Sequence, residues 1–283
     1  MKLGGQAVIE GVMIKSDTSV VIALQAGRKI KVIGERLKPF SAKHPWATLP
    51  LIRGVVNLIE MLILGTRALN ISTRYADDEE EKLSPLSIFL TMLISLIIAV
   101  LIFKFIPLFI AQASVGSSSN SALFALIDGL VKVAIFFLYV FIIGRFKDIQ
   151  RVFQYHGAEH MSVHCHEAKR PLTVKNVARF SPLHPRCGTS FLVLVLLISI
   201  IFYAFIPNSA SLPLKLFIRL LLLPLIAGVA YEFIRLEHKM RNTVFINIIL
   251  FPGMLFQKLT TAKPKPQQIR VAIAAVKKAK AMG

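Results

Sequence analysis

The chain has 283 residues, of which 55% are hydrophobic, and a formal net charge of +19. A soluble domain of this length does not need so much apolar surface, and the excess lies in blocks close to the ~20 residues that cross a bilayer. The basic residues are dispersed and lack interleaved aromatic residues. This argues against specific nucleic-acid binding and favours contact with anionic lipid.

The N-terminal segment, residues 1–83, shows no signal peptide, since its first 20 residues lack an apolar stretch. Three strand-like runs predict a small antiparallel β-sheet. These runs are 6–14, 19–25 and 29–37. Residues 51–70 repeat apolar side chains at helical spacing and predict an amphipathic helix on the membrane surface. The acidic run 77–81 is interpreted as a solvated connector.

Four apolar runs predict transmembrane helices that form two hairpins, in segments 84–144 and 190–236. The runs are 86–110, 123–143, 190–206 and 214–234. Segment 145–189 is the loop between the hairpins and is rich in His and Cys. Segment 237–283 follows the last predicted helix, and its apolar run 244–256 is too short to span, so it predicts an interfacial or re-entrant helix.

Charge placement predicts the orientation of these helices. Twelve of the 34 Lys and Arg lie in residues 1–83, eight in 145–190 and ten in 235–283. The loops 111–122 and 207–213 carry no charge. By the positive-inside rule, both termini and the central loop are cytoplasmic. The predicted fold is therefore an α-helical polytopic membrane protein with four transmembrane helices, cytoplasmic amphipathic helices and a small N-terminal antiparallel β-sheet.

The C-terminal tail predicts a short helix with one apolar stripe. The stripe consists of Ile269, Ala272, Ile273 and Val276. It is expected to dock on a surface of the same chain or of a protein partner. The two cysteines are expected to be reduced thiols because both lie in cytoplasmic segments.

The central loop contains the pattern H-x-x-E-H, formed by His156, Glu159 and His160. On a helix these side chains share one face, so two imidazoles can bind Zn²⁺ while the carboxylate acts as general base. A polar network held by hydrogen bonds is the alternative. A catalytic zinc also needs a third protein ligand. The candidates are His164, Cys165, His166, Glu167, His184, Cys187 and Glu232.

Two further positions place ionisable residues in apolar surroundings. Asp128 and Lys132 are four apart in a predicted membrane helix, which favours a buried ion pair that faces the protein interior, with a proton or ion path as the alternative. Glu10 lies inside an apolar run and is either a hydrogen-bonded anchor or a site residue.

Four motifs resemble the YqhQ-like family of bacterial membrane proteins, a domain of unknown function (1385) described as predicted metal-dependent enzymes. The motifs are GGQAVIEGVM (4–13), YHGAEH (155–160), HPRCGTSF (184–191) and LLLPLIAGVAYE (221–232). The resemblance covers nearly the whole chain and implies a bacterial inner-membrane location. At the motif positions it points to Gln6, Glu10, His156, Glu159, His160, His184, Arg186, Cys187 and Glu232. Met161 replaces the lysine that usually follows the HGAEH motif.

Three functions fit these features. The first is a membrane-bound zinc-type hydrolase, such as a peptidase, with His156, His160 and either Glu232 or the 184–187 loop as ligands. The second is a non-catalytic scaffold or assembly factor that engages membrane or translation machinery through its basic cytoplasmic surface. The third is a transporter, which the small number of helices and the absence of an inverted repeat argue against.

Overall fold

The computed structural model describes residues 3–76, 85–116, 120–240 and 243–283, so the acidic connector predicted at 77–81 lies outside the described residues. The chain is mostly helical, with one small sheet at its N-terminus. The strands are β1 Gly4–Val8, β2 Gly11–Lys15, β3 Ser19–Ala26 and β4 Lys29–Arg36. The helices are α1 Phe40–Lys43, α2 Ile52–Ala76, α3 Pro85–Val100, α4 Ile106–Val115, α5 Ser121–Ile143, α6 Lys147–Glu167, α7 Val174–Val177, α8 Gly188–Tyr203, α9 Leu212–Met240, α10 Val244–Thr260 and α11 Pro266–Met282. A 3₁₀ turn occupies Pro45–Thr48, and a π-helical turn at Leu101–Phe105 joins α3 to α4.

The sheet is antiparallel, as predicted, but it has four strands in the order β1-β2-β3-β4. The predicted first strand, residues 6–14, is divided by a two-residue turn at Ile9 and Glu10, with Val8 paired to Gly11. Glu10 adopts a φ of 53° in this turn. This reversal was not predicted, because Ile and Glu are not the Asn-Gly or Asp-Gly pair that usually marks such hairpins.

The sheet is covered on both faces, which explains why the first six residues of β3 are all buried. One face packs against α2 through Val20, Ile22 and Leu24. The other face packs against α6 and α11 through Val21 and Ala23. Alternate residues of a strand point to opposite faces, so β3 contributes to two separate cores.

The C-terminal helix α11 closes this layered domain. Its predicted apolar stripe is buried and packs in the core formed by the sheet and α6. The members of the stripe are Ile269, Ala272, Ile273 and Val276. The stripe is therefore covered by the chain itself.

Four helices in the described part of the chain are long and apolar enough to cross a membrane. They are Ile52–Tyr75, Leu93–Val115, Ser121–Ile143 and Pro213–Glu237. Three of them correspond to predicted spans, whereas the first was predicted as a surface helix. The predicted span at 190–206 is the shorter helix α8, whose 16 residues extend about 24 Å at 1.5 Å per residue.

Helix α8 is surrounded by other apolar helices. Leu194 and Ile198 pack with residues of α5, α9 and α10. The run 244–256, predicted to be an interfacial or re-entrant helix, lies in one helix, α10, that continues through Pro252. A Cβ added to Gly253 would lie 2.8 Å from Ser190 Cα, so glycine allows α10 to approach the start of α8.

Candidate metal centre

The H-x-x-E-H motif lies within α6, a continuous helix despite Gly157. Its imidazoles lie beside the loop that leads to α8. The ring centroids of His156 and His160 are 4.3 Å apart, and those of His164 and His184 are 4.4 Å apart. Spacing by four residues places the α6 histidines on one face, and the 184–187 loop adds His184 and Cys187 opposite them.

Gly157 has a packing role within this motif. A Cβ at this position would lie 2.2 Å from the carbonyl oxygen of Ala262. The segment after α10 crosses α6 here, and the Ala262 N–H donates to Phe153 O at 3.0 Å. The close approach of two backbones therefore explains a glycine that is otherwise unfavourable in a helix.

The first group of candidate ligands consists of His156, His160 and Cys187. One ligand atom from each lies within 4.8 Å of the other two. His156 Nε2 is 3.2 Å from Cys187 Sγ. The three side chains therefore converge on one point, and the 184–187 loop contributes Cys187 as the third candidate ligand.

Backbone carbonyls determine which nitrogen of each imidazole bears the proton. His156 Nδ1 lies 2.9 Å from Thr260 O, and His160 Nδ1 lies 2.6 Å from Pro182 O. A carbonyl only accepts hydrogen bonds, so both Nδ1 atoms are donors and both Nε2 atoms carry lone pairs. Metal-binding histidines commonly show this arrangement.

Glu159 is buried beside the first group, with 3% of its surface exposed. Its Oε2 lies 3.4 Å from His160 Nε2. Burial raises the pKa of this carboxyl group, and the nearby imidazoles of His156 and His184 oppose the shift. Burial also lowers the pKa of His160, which keeps this imidazole neutral. Among the described residues, Glu159 forms no ion pair with a lysine or arginine.

The second group consists of His164, Glu167 and His184. Its polar atoms are already engaged. Arg186 forms an ion pair with Glu167, and His164 Nε2 lies 2.9 Å from Leu183 O. The Arg186 N–H donates to His184 Nδ1 at 3.2 Å. The charge of Glu167 is therefore balanced by an arginine, which makes this group a weaker candidate for a metal than the first.

Glu232 is not part of either group. Its carboxylate accepts two hydrogen bonds from the Arg53 guanidinium and one from Leu51 N–H at 3.3 Å. This ion pair joins α9 to the start of α2. The structure thus does not place Glu232 as the third ligand, because the arginine on α2 holds its carboxylate elsewhere.

The other candidate residues form contacts within the fold and belong to neither group. Glu10 Oε2 pairs with Arg151 at 2.6 Å and connects the β1–β2 turn to α6. Gln6 points to the opposite face of the sheet, where its amide contacts Gly65 of α2. Cys165 is buried near the end of α6, where burial raises its thiol pKa, and His166 belongs to neither group.

Sequence reasoning missed Gln257 of α10, which is fully buried. Its amide oxygen accepts from His184 N–H at 2.8 Å, and its amide nitrogen donates to His184 O at 2.8 Å and to Ser190 Oγ at 2.6 Å. Gln257 thus fixes the 184–187 loop. The sequence signal that could have identified Gln257 was a glutamine at the end of an apolar helix.

Asp128 and Lys132 pair within α5, as expected, with Oδ2 and Nζ 2.5 Å apart. The sequence did not indicate that a third charged residue joins this pair. Arg219 of α9 also reaches Asp128 Oδ2, at 3.0 Å. The predicted pair is therefore a cluster of three charges.

Comparison with known proteins agrees with the motifs. The family model described as "Protein of unknown function (DUF1385)" matches residues 49–282. The chain is 33% identical over 285 aligned positions to the protein described as "Uncharacterized protein YqhQ" of Bacillus subtilis (strain 168). The alignment covers 95% of this chain and 89% of that relative. No solved structure matches. The chain belongs to the DUF1385 family.

Proposed function

We propose that the chain is a multi-pass protein of the bacterial inner membrane with both termini in the cytoplasm. Large apolar side chains on the candidate spans are exposed, and Phe217, Leu220 and Leu221 of α9 have exposures of 64–69%. Such a surface is suited to lipid, because contiguous apolar patches of this kind are rare on soluble proteins. The basic terminal segments would then contact anionic lipid on the cytoplasmic side.

Helix α2 fits this topology better as a cytoplasmic element than as a span. Leu64 and Ala68 pack on the sheet, and Arg67 Nη1 pairs with Glu35 Oε2 of β4 at 2.7 Å. If α2 crossed the bilayer, the charged outer strand β4 would have to enter hydrocarbon, which is costly. The spans are then the helices in segments 84–144 and 190–236.

The two short uncharged loops support the same orientation. Asn208 N–H, between α8 and α9, donates to Ser121 Oγ at the start of α5 at 3.0 Å. The connections α4–α5 and α8–α9 therefore meet at one end of the helices. The other ends of α5 and α8 lie next to α6 and its histidines.

Thiol labelling tests this topology. Ser209→Cys should react with an impermeant reagent added outside intact cells, while Lys278→Cys should react only after lysis. The native Cys165 and Cys187 are buried and serve as the unlabelled background. Labelling of Lys278→Cys in intact cells would show that the orientation is the reverse of the proposed one.

We propose further that His156, His160 and Cys187 hold a divalent metal ion of the zinc class. One observation carries this proposal: two imidazoles that each use Nδ1 to bond a backbone carbonyl turn their Nε2 atoms toward the same thiol. Two imidazole Nε2 lone pairs, a thiol sulfur and the Glu159 carboxyl group meet in a buried site. Buried acceptors need a donor or a cation, and imidazole with thiolate is a donor set that zinc prefers.

The chemistry that fits this arrangement is hydrolysis. A zinc ion bound here would act as a Lewis acid that makes water a nucleophile at neutral pH. Glu159 Oε2 is 3.4 Å from His160 Nε2, and its raised pKa suits a group that accepts a proton and then returns it to a leaving group. The carbonyls of Thr260 and Pro182 hold the imidazoles in the required tautomer.

A closed structural metal centre within a scaffold is the second candidate. Glu159 and His160 are each 3% exposed and Cys187 is 7% exposed, which leaves a substrate little access. Structural zinc sites have four protein ligands, and Glu159 could complete such a set. In that case the metal would join α6 to the 184–187 loop, and the basic cytoplasmic surface would engage partners.

Metal analysis of the purified protein tests the proposal that both candidates share. About one zinc per chain is expected in the native protein, and Cys187→Ala and His160→Ala should each lower the content strongly. Cys165→Ala and His166→Ala are matched controls that should retain the metal. Equal metal content in all five proteins, or none in the native protein, would contradict the proposed site.

Cobalt substitution then separates the two candidates. In the cobalt protein, acetohydroxamate should change the visible absorption bands if the metal has an open position, as hydrolysis requires. Unchanged bands at saturating acetohydroxamate would mean four protein ligands, and the structural centre would replace the hydrolase.

A further inference from the structure

Charge is distributed unevenly within the apolar helices. Residues 84–144 and 190–231 contain four basic side chains and only one acidic side chain, Asp128. The four basic residues are Lys104, Lys132, Lys215 and Arg219. They come from three different helical segments, yet the structure brings them to one region.

Asp128 is the centre of this cluster and is fully buried. Its Oδ2 alone accepts from both Lys132 and Arg219, at 2.5 Å and 3.0 Å. Arg219 also lies over the ring of Tyr203, with 4.7 Å between the guanidinium carbon and the ring centroid. One carboxylate therefore serves two cations, and positive charge remains in excess.

Lys104 adds to the excess. It interacts electrostatically with both Asp128 and Arg219. Within the described ranges, its Nζ has no hydrogen bond or ion pair. Lys104 also lies in the π-helical turn 101–105, and such turns occur often at functional sites.

A cavity lies beside these cations. It has a volume of about 180 Å³, roughly the share of six water molecules in the liquid. Its polar lining includes Lys104, Lys132, Ser199 and Tyr203. The remaining lining is aliphatic, from α8 and α9. The cavity therefore combines two lysine side chains with apolar walls.

We propose that this cavity binds an oxyanion, a phosphate or a carboxylate, with Lys104 and Lys132 as its cationic ligands. Charged groups inside a membrane are costly and are normally paired, so an excess of cations there implies an anion that the chain does not supply. Ammonium groups donate up to three hydrogen bonds each, which suits the oxygens of both anions. The oxyanion can be the head group of an amphiphile or a free anion.

The test uses full-length protein in a neutral detergent and three probes: dodecyl phosphate, inorganic phosphate and dodecyltrimethylammonium. Binding is followed as the rise in melting temperature with probe concentration. Dodecyl phosphate should produce a saturable rise, because it binds the folded state, while the cationic amphiphile should not. An amphiphilic source is indicated if inorganic phosphate has no effect, and a free anion if inorganic phosphate gives the same rise.

Lys104→Met is the diagnostic variant, since it removes a cation that forms no ion pair in the described structure. It should weaken the apparent affinity for the active probe at least about tenfold, the factor that corresponds to 1.4 kcal/mol. Lys258→Met, at an exposed lysine of α10, is the matched control and should bind as the native protein does. Lys104→Gln provides a second variant of similar length.

Three results would overturn the proposal. The first is that neither anion raises the melting temperature of the native protein. The second is that dodecyltrimethylammonium raises it as much as dodecyl phosphate does. The third is that folded Lys104→Met and Lys104→Gln retain the native affinity.

Discussion

The cluster on α6 and the cluster around Asp128 are both buried and polar, but the first is rich in lone pairs and the second is rich in cations. On α6, two imidazole Nε2 lone pairs, a thiol and a carboxyl group converge. Around Asp128, two cations share one carboxylate. Buried polar groups are normally satisfied, and this criterion is the common basis of the cation proposed for the first cluster and the anion proposed for the second.

The largest effect is expected at the charged cluster. Asp128→Asn removes the carboxylate that Lys132 and Arg219 share, and should cost about 3–5 kcal/mol of unfolding free energy. Unfolding of both proteins in mixed micelles with increasing SDS measures this loss of unfolding free energy. A loss below about 1 kcal/mol, the size of an exposed pair, would show that the cations do not depend on Asp128.

The combined variants sharpen this prediction. Asp128→Asn with Lys132→Met should recover only part of the loss, because Arg219 stays buried without a carboxylate. Adding Arg219→Met should recover most of the remainder. Full recovery of stability in the double variant would mean that Asp128 and Lys132 form the simple pair expected from the sequence. It would also mean that Arg219 does not depend on Asp128.

An intermediate effect is expected at Glu159 in protein freed of metal by a chelator. Burial raises the pKa of Glu159 in the folded state above its unfolded value. Its contribution to stability is therefore complete below the unfolded pKa of about 4.3, and it is lost as the pH rises through the folded pKa. Glu159→Gln should then be more stable than the native protein at pH 7 by roughly 2 kcal/mol, and similar to it near pH 4.

Urea unfolding of both proteins across this pH range measures the difference. Added zinc should reduce the advantage of Glu159→Gln at pH 7, because a cation would compensate the native carboxylate. A Glu159→Gln protein that is less stable at pH 7 without metal would mean that the carboxylate already has a favourable partner.

The smallest effect is expected from Gly157→Ala. The new Cβ would clash with Ala262 O, and overpacking costs about 1–3 kcal/mol, partly offset by ~1 kcal/mol of helix propensity. A net loss of about 1 kcal/mol is expected in thermal unfolding. Gly188→Ala is the matched control, because a Cβ there meets no atom within 4 Å and should be neutral or stabilising. Equal effects at both positions would contradict the close approach.

Helical spacing was enough to predict that His156, Glu159 and His160 share one face of α6, and the position of Cys187 was foreseen among the possible ligands. The groups that fix the imidazoles were not predictable, because Thr260 and Pro182 contribute backbone carbonyls, which have no residue signature. Glu232 was misplaced because separation along the chain says nothing about Arg53, which reaches it from α2.

In the fold, too, some features were predictable from the sequence and others depended on packing. Apolar length predicted the helices at 93–115, 121–143 and 213–237, where composition dominates. It could not predict that α8 ends at Tyr203, since its ends depend on packing against α5, α9 and α10. The arginine that joins Asp128 and Lys132 was also invisible, because it lies 91 residues beyond Asp128 in the sequence.

The layered domain around α6 is discontinuous along the chain, and this affects the order in which the protein can be made. Its sheet comes from residues 4–36, whereas α11, which closes the core on α6, comes from residues 266–282. Domains generally fold as units during synthesis from the N-terminus. Here α11 must be synthesised before the core closes, so the sheet stays partly uncovered while both apolar hairpins are synthesised. A short C-terminal truncation would therefore leave the site without its support even though every candidate ligand is present.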